Sequence, residues 1–167
     1  MTGVQTCALP ISPASQIRLP PEWAQRFKEA LALHRSGRLD EAEAHYRAIL
    51  AVEPRFFGCL HLLGIVESQK GRFEAALACF DAAIEAEPRA ADVFNNRGNV
   101  LKELHRWNES IESYGRALAL KPDYAEAFAN RANALREASR LDDALADYAQ
   151  AIALRPDHAG FHVSRGN

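Results

Sequence analysis

Residues 91–124 read ADVFNNRGNVLKELHRWNESIESYGRALALKPDY, and residues 125–158 read AEAFANRANALREASRLDDALADYAQAIALRPDH. The two blocks are identical at 14 of 34 positions, and the same period extends outward from them. Prolines stand at 54, 88, 122 and 156, after Glu53, Glu87, Lys121 and Arg155. Eight residues before each lies a ring: Tyr46, Phe80, Tyr114, Tyr148. Twelve before lies Ala42, Ala76, Ser110 or Ala144, four before lies Leu50, Ile84, Leu118 or Ile152, and twenty-four before lies Ala30, Gly64, Gly98 or Ala132. A fixed period of this length marks a stacked-repeat architecture.

Each block reads as two helices. Val93, Phe94, Val100, Leu101 and Leu104 share one side of a 3.6-period wheel, and Ile111, Tyr114, Leu118 and Leu120 share another after a short break. Gly37 and Gly71 stand where a left-handed residue can end the first helix, whereas blocks three and four carry His105 and Ser139 there and need a different ending. Asp40, Asn108 and Asp142 sit where a side-chain oxygen can cap the second helix. A mid-helix Gly costs about 1 kcal/mol against Ala. That cost is tolerable at Gly64 and Gly98 if the second helix crosses closely, with Ala42, Ala76, Ser110 and Ala144 as its small surfaces. The recurrent rings are then expected to fill the gap to the following block.

Composition is that of an ordinary folded chain, 48% hydrophobic and 25% charged. Twenty basic against 22 acidic side chains leave no cationic surplus for nucleic acid or an anionic membrane. No apolar run spans a bilayer and no secretory leader is present, so a cytoplasmic protein is expected. Cys7, Cys59 and Cys79 suggest neither a disulfide framework nor a zinc site, and His34, His45, His61, His105, His158 and His162 show no ligand spacing. No nucleotide-binding or hydrolase motif occurs. The residues present are therefore read as non-catalytic, with no cofactor and no metal.

Residues 1–11, MTGVQTCALPI, lack charge and period, and they resemble the conceptual translation of a sequencing adapter. Residues 12–20 read as a linker. Four repeats follow over 21–158, at about 23–56, 57–90, 91–124 and 125–158, and 159–167 reads as the truncated start of a fifth. A last repeat without a successor would leave Tyr148, Ile152 and Leu154 poorly covered, and self-association through that end is expected.

The small, aromatic and proline spacing over residues 21–158 resembles the tetratricopeptide repeat (TPR) family. That resemblance implies an all-α fold, a right-handed solenoid of antiparallel helix pairs whose first helices line a concave face, and a role in binding a protein, as an extended peptide or a partner helix. Block one departs most, with Trp23 too early and Arg26 at the usual aromatic position, as in a cap. Asn96-Arg97-Gly98-Asn99-Val100-Leu101-Lys102-Glu103 and the run from Ala117 to Ala127 look like bacterial TPR arrays that precede SPINDLY-like O-linked N-acetylglucosaminyltransferase domains. In that family the array presents protein substrates, and an asparagine ladder holds the peptide backbone. Asn96 and Asn130 match the ladder position; Lys28, Leu62 and Ser164 occupy it elsewhere. Some TPR modules instead clamp a terminal carboxylate with a Lys that is here Phe27, His61, Asn95 or Ala129, so no clamp is expected.

The feature that stands out is a polar stripe. Asp92, Asn96, Asn99 and Glu103 are spaced i, i+4, i+7, i+11, and Glu126, Asn130, Asn133 and Glu137 repeat the spacing, bordered by Lys102 and Arg136. These ten residues read as a peptide-binding face or as an ordinary solvated one. Asn is a poor helix former, so its recurrence mid-helix asks for a reason. Arg97, Arg131 and Arg165 recur away from the stripe, as stems packed between repeats with heads paired at the rim, or as ligand contacts. Trp107, in register with Leu39, Phe73 and Leu141, reads as packing.

Overall fold

The structure, a computed structural model, describes residues 20–157. The leader at 1–11, linker residues 12–19 and the fifth-repeat start at 159–167 lie outside the described residues, and so do Cys7, His158, His162, Ser164 and Arg165. Among the described residues there are eight helices and no strand: α1 (Pro21–Arg35), α2 (Leu39–Leu50), α3 (Phe57–Gln69), α4 (Phe73–Ala86), α5 (Ala91–Glu103), α6 (Trp107–Leu120), α7 (Ala125–Glu137) and α8 (Leu141–Leu154). They pair as four hairpins that stack in chain order. The first helices of successive hairpins also touch, α3 with α5 and α5 with α7, more extensively than any two second helices do. The stack therefore curves with its first helices inside. None of these helices is long and apolar enough to cross a membrane.

All four hairpin turns are built alike. Gly37, Gly71, His105 and Ser139 have φ of 79°, 72°, 58° and 60°. Each turn closes with the same pair of bonds, such as Gly37 N to His34 O at 3.0 Å with Arg38 N to Leu33 O at 3.0 Å, and His105 N to Lys102 O at 2.9 Å with Arg106 N to Leu101 O at 2.9 Å. This is the Schellman ending. The expectation that blocks three and four end differently is thus overturned: His105 and Ser139 take the left-handed conformation themselves, because two otherwise unsatisfied carbonyls are bonded only in that geometry.

The capping expectation is corrected too. The N-cap positions are Arg38, Arg72, Arg106 and Arg140, none with a side-chain cap bond. Only the N-cap residue separates the left-handed one from the helix, so Asp40, Asn108 and Asp142 fall inside the first turn. A guanidinium at a helix N-terminus is unfavourable by itself. An acid three residues on offsets it: Arg38 Nε donates to Glu41 at 2.5 Å, Arg106 Nε to Glu109 at 2.7 Å, and Arg140 Nε to Asp143 at 2.9 Å.

The second helix does cross closely over the small residues of the first. A Cβ added to Gly98 would lie 2.6 Å from the Tyr114 ring, and one on Gly64 would lie 2.6 Å from the Phe80 ring. Ser110 Oγ donates to Gly98 O at 2.8 Å at the same crossing. Tyr46 packs with the following repeat against Cys59, Leu63 and Val66, and Phe80 against Val93, Val100 and Leu101, so the expectation holds there in part, while the rings of Phe80 and Tyr114 fill the crossing of their own hairpin. For the same reason Tyr148 is buried at 2% exposure although it lies in the last described repeat. The apolar side chains left open there are Leu141, Leu145 and Leu154.

Between the first two repeats an ionic cluster lies beside the apolar one that Ala42, Tyr46 and Ile49 form with Cys59, Leu63 and Val66. Glu67 is fully buried at the place held by Leu33, Leu101 and Leu135 elsewhere. It accepts from Arg47 at 2.6 Å and from Arg72. Arg72 turns that way because Ala75 stands where the other N-cap arginines find an acid. Glu43 completes the cluster with Lys70 at 2.8 Å, Arg47 at 2.9 Å and Arg72 at 2.5 Å. Burial works against the charge on Glu43, but the bonds from Lys70, Arg47 and Arg72 outweigh it and bring its pKa down to about 2.

Candidate functional site

The inner side of α5 and α7 carries the polar stripe. Asp92, Glu103, Glu126, Arg136 and Glu137 are exposed, while Asn96, Asn99, Lys102, Asn130 and Asn133 are half-buried. The four asparagines divide into two kinds of work. Tyr114 Oη donates to Asn99 Oδ1 at 2.7 Å, and Tyr148 Oη donates to Asn133 Oδ1 at 2.6 Å. Burial holds both phenols above their ordinary pKa, so each stays a donor. Here is one physical reason for Asn in mid-helix: the close crossing buries a tyrosine whose hydroxyl needs an acceptor.

Asn96 and Asn130 instead bridge successive first helices. Asn130 Nδ2 donates to Asn95 Oδ1 at 3.1 Å, and Asn96 Nδ2 lies 3.0 Å from His61 Nε2. Burial lowers the His61 pKa, with Asp92 pulling the other way, so the neutral ring accepts. Each of these amides spends one N–H on the preceding repeat and keeps a carbonyl oxygen for another partner.

Two of the charged pairs on the stripe are loose. Lys102 lies 3.6 Å from Glu103 and Arg136 lies 3.3 Å from Glu137, pairs between sequence neighbours that contribute at most about 1 kcal/mol. Glu126 pairs with Arg155. Asp92 faces Tyr124, whose phenol is raised by burial first and by that carboxylate second.

Arg97 and Arg131 lie off this face. Arg97 Nε donates to Asp81 of the preceding hairpin at 2.7 Å, while Arg131 makes a two-bond pair with Asp147 of its own hairpin at 2.6 and 2.8 Å. The difference follows from sequence: Arg97 has Ser113 where Arg131 finds Asp147, and Arg131 has Gly115 where Arg97 finds Asp81. Their guanidinium heads are thus tied to carboxylates.

Two inner residues escape the stripe as read from spacing alone. Asn95, 5% exposed, and His61 occupy the same place in successive repeats and receive the bridging amides. They sit one residue before the ladder position, off the i, i+4 line. The tyrosine–asparagine pairing did leave a signal at a separation of 15 residues: Asn99 with Tyr114 and Asn133 with Tyr148, against Ile65 with Phe80, which has no hydroxyl to satisfy.

A family model described as TPR repeat matches residues 64–104 and 98–137, and a second, described as Tetratricopeptide repeat, matches residues 125–158. The chain belongs to the tetratricopeptide repeat family. Among solved structures, this TPR chain is similar to MamA 41-end from Desulfovibrio magneticus RS-1, with a TM-score of 0.83 at 18% identity over 89% of this chain and 84% of that one. The first TPR of Spaghetti, bound to the HSP90 peptide SRMEEVD, gives a TM-score of 0.62 at 22% identity, covering 64% of this chain and 84% of that one. YrrB, a TPR protein with an unusual peptide-binding site, gives 0.74 at 25% identity, covering 84% and 73%. No curated protein matches the chain.

Proposed function

We propose that the chain is a protein-interaction module that takes an extended peptide along the inner side of its first helices, over Asp92, Asn96, Asn99, Lys102, Glu103, Glu126, Asn130, Asn133, Arg136 and Glu137. The observation that carries this reading is the pair of bridging amides. Asn96 and Asn130 are held from behind by His61 and Asn95, which leaves on each an oriented carbonyl oxygen and one N–H. Each can therefore accept from and donate to one peptide unit. YrrB, with its peptide-binding site, supports the same use of the fold.

Contacts of this kind read backbone, so affinity is broad in sequence. Loss of one neutral hydrogen-bonding group weakens an interaction by about 0.5–1.5 kcal/mol. Asn96→Ala with Asn130→Ala is expected to weaken a bound peptide about tenfold to a hundredfold. The fold loses two bridging bonds and regains part of that from alanine's helix propensity. The measurement is calorimetric titration of peptides selected from an unbiased library. Equal affinity for wild type and the double variant rejects the reading.

A narrower form is favoured by the runs Asn96–Glu103 and Ala117–Ala127: a substrate-presenting arm of a bacterial SPINDLY-like protein O-linked N-acetylglucosaminyltransferase. Reading the parent gene through to its stop codon tests it. A reading frame without a glycosyltransferase domain rejects this form and leaves the interaction module standing.

A further inference from the structure

Two bridges in the same place join successive first helices, and one of them can take up a proton. Asn96 of α5 reaches back to His61 of α3, with Nδ2 3.0 Å from Nε2. Asn130 of α7 reaches back to Asn95 of α5, with Nδ2 3.1 Å from Oδ1. One period on from His61 and Asn96 stand Asn95 and Asn130, so the acceptor is an imidazole in one repeat and an amide in the next. An amide oxygen accepts whatever the pH. An imidazole nitrogen accepts only while its ring is neutral.

The surroundings of His61 keep it neutral until the solution turns acid. Its half-buried ring lies 5.7 Å from that of Phe57 on the same helix and 6.2 Å from that of Phe80 on α4. From α1 and α2, Ala30, Ala42, Tyr46 and Ile49 pack against α3, and burial holds the Tyr46 phenol up at about 12, so that it stays uncharged. From α5 comes the one charge among the described residues that acts on the ring, the Asp92 carboxylate. Burial favours the neutral ring, Asp92 favours the cation, and burial prevails.

The proton arrives on the Nε2 lone pair to which Asn96 donates. Two N–H donors then face each other at 3.0 Å. The contact becomes favourable again when the amide turns over and offers Oδ1 to the imidazolium, a charge-assisted bond. That turn reverses what the groove meets. With His61 neutral, Asn96 has a carbonyl oxygen and one N–H to spare, which suits both halves of a peptide unit. With His61 charged it presents two N–H groups, and the N–H of that peptide unit loses its acceptor. We propose that protonation of His61 turns the Asn96 amide over, so that this rung holds a peptide backbone at neutral pH and releases it in acid, while the Asn95–Asn130 rung keeps its hold throughout. The proposal rests on the peptide-groove reading above.

The test uses the full chain and a capped peptide without ionisable side chains, selected from the unbiased library at pH 7.5. Affinity is read by anisotropy from pH 7.5 to pH 4.5, and the His61 ring and Asn96 side-chain amide are followed by NMR over the same range. Loss of one neutral hydrogen bond should weaken binding about two- to tenfold as His61 charges, with the Asn96 amide signals moving at the same midpoint. Because the peptide prefers the neutral ring, its binding should lower the His61 acid constant's pKa by the same factor. His61→Asn installs the residue that repeat three uses, and its affinity should not follow that titration. Asn130→Ala should weaken binding at both ends of the range and keep the pH dependence. Equal pH dependence in wild type and His61→Asn, a His61 ring still neutral at pH 4.5, or a His61 pKa that peptide does not move overturns the proposal. If the Asn96→Ala, Asn130→Ala variant then still binds more weakly at pH 7.5, the groove reading survives and only the switch is lost. If that variant binds like wild type, or the library yields no binder, both fail.

Discussion

Repeats two and three share one backbone and have exchanged their chemistry. Both cross at a glycine, Gly64 under Phe80 and Gly98 under Tyr114, at the same separation. On the groove side, repeat two presents Leu62, Ile65 and Ser68 where repeat three presents Asn96, Asn99 and Lys102. Toward the preceding repeat the polarity is reversed: repeat two buries Glu67 where repeat three buries Leu101. A polar group is accommodated at either place provided its partners come with it. Glu67 comes with Arg47 and Arg72, and Asn99 comes with Tyr114. The helical scaffold is set by the small and aromatic positions that the two repeats share. What each repeat can bind is set by the inner positions at which they differ.

The shared feature is the most fragile. Gly98→Leu places a whole side chain where a Cβ alone would be 2.6 Å from Tyr114. The expected loss is about 3 kcal/mol, at the upper end for overpacking, with little returned by helix propensity. Gly64→Leu should match it, because Phe80 sits equally close. Urea midpoints check both. A variant that melts like wild type would show that the crossing tolerates separation and that the two repeats do not share it as a constraint.

The reversed feature separates loss of charge from change of shape. Glu67→Ala leaves Arg47 and Arg72 with Glu43 alone to accept from them and opens a gap in a buried place, and it is expected to cost about 2 kcal/mol. Glu67→Leu installs the residue that the other three repeats use, and exchange of a buried ionic group for an apolar one of similar size is often neutral or stabilising. Both arginine side chains reach solvent, 56% and 42% exposed, which favours that outcome. If the Leu variant is as weak as the Ala variant, the first junction depends on its charges and not on fill.

The smallest effect is one of pH. The Glu43 carboxyl is held near 2 in the folded chain, below its ordinary value of 4.5. A depressed carboxylate contributes stability that is complete above the unfolded pKa and is lost as pH falls through the folded one. The difference in midpoint between wild type and Glu43→Gln should therefore be constant from pH 7 to about pH 5, shrink from about pH 4.5 downward and vanish only below about pH 2. A difference that does not shrink between about pH 4.5 and pH 2 would mean that Glu43 acts by packing rather than charge.

The sequence by itself determined the period, the two helices per repeat, the crossing at Gly64 and Gly98 and the inner stripe, because each depends on spacing within about one repeat. It also placed Trp107 in register with Phe73. Tertiary structure decided what spacing does not carry. It showed that Phe80 and Tyr114 fill the crossings of their own hairpins. It showed that His105 and Ser139 adopt a glycine's conformation, since the turn's hydrogen bonds outweigh a local strain of about 1–2 kcal/mol. It divided the asparagines, giving Asn99 and Asn133 to tyrosine hydroxyls and Asn96 and Asn130 to the neighbouring helix. A side chain's spare hydrogen bonds depend on which groups the stacked repeats bring within about 3 Å, and that distance is set only when the helices pack.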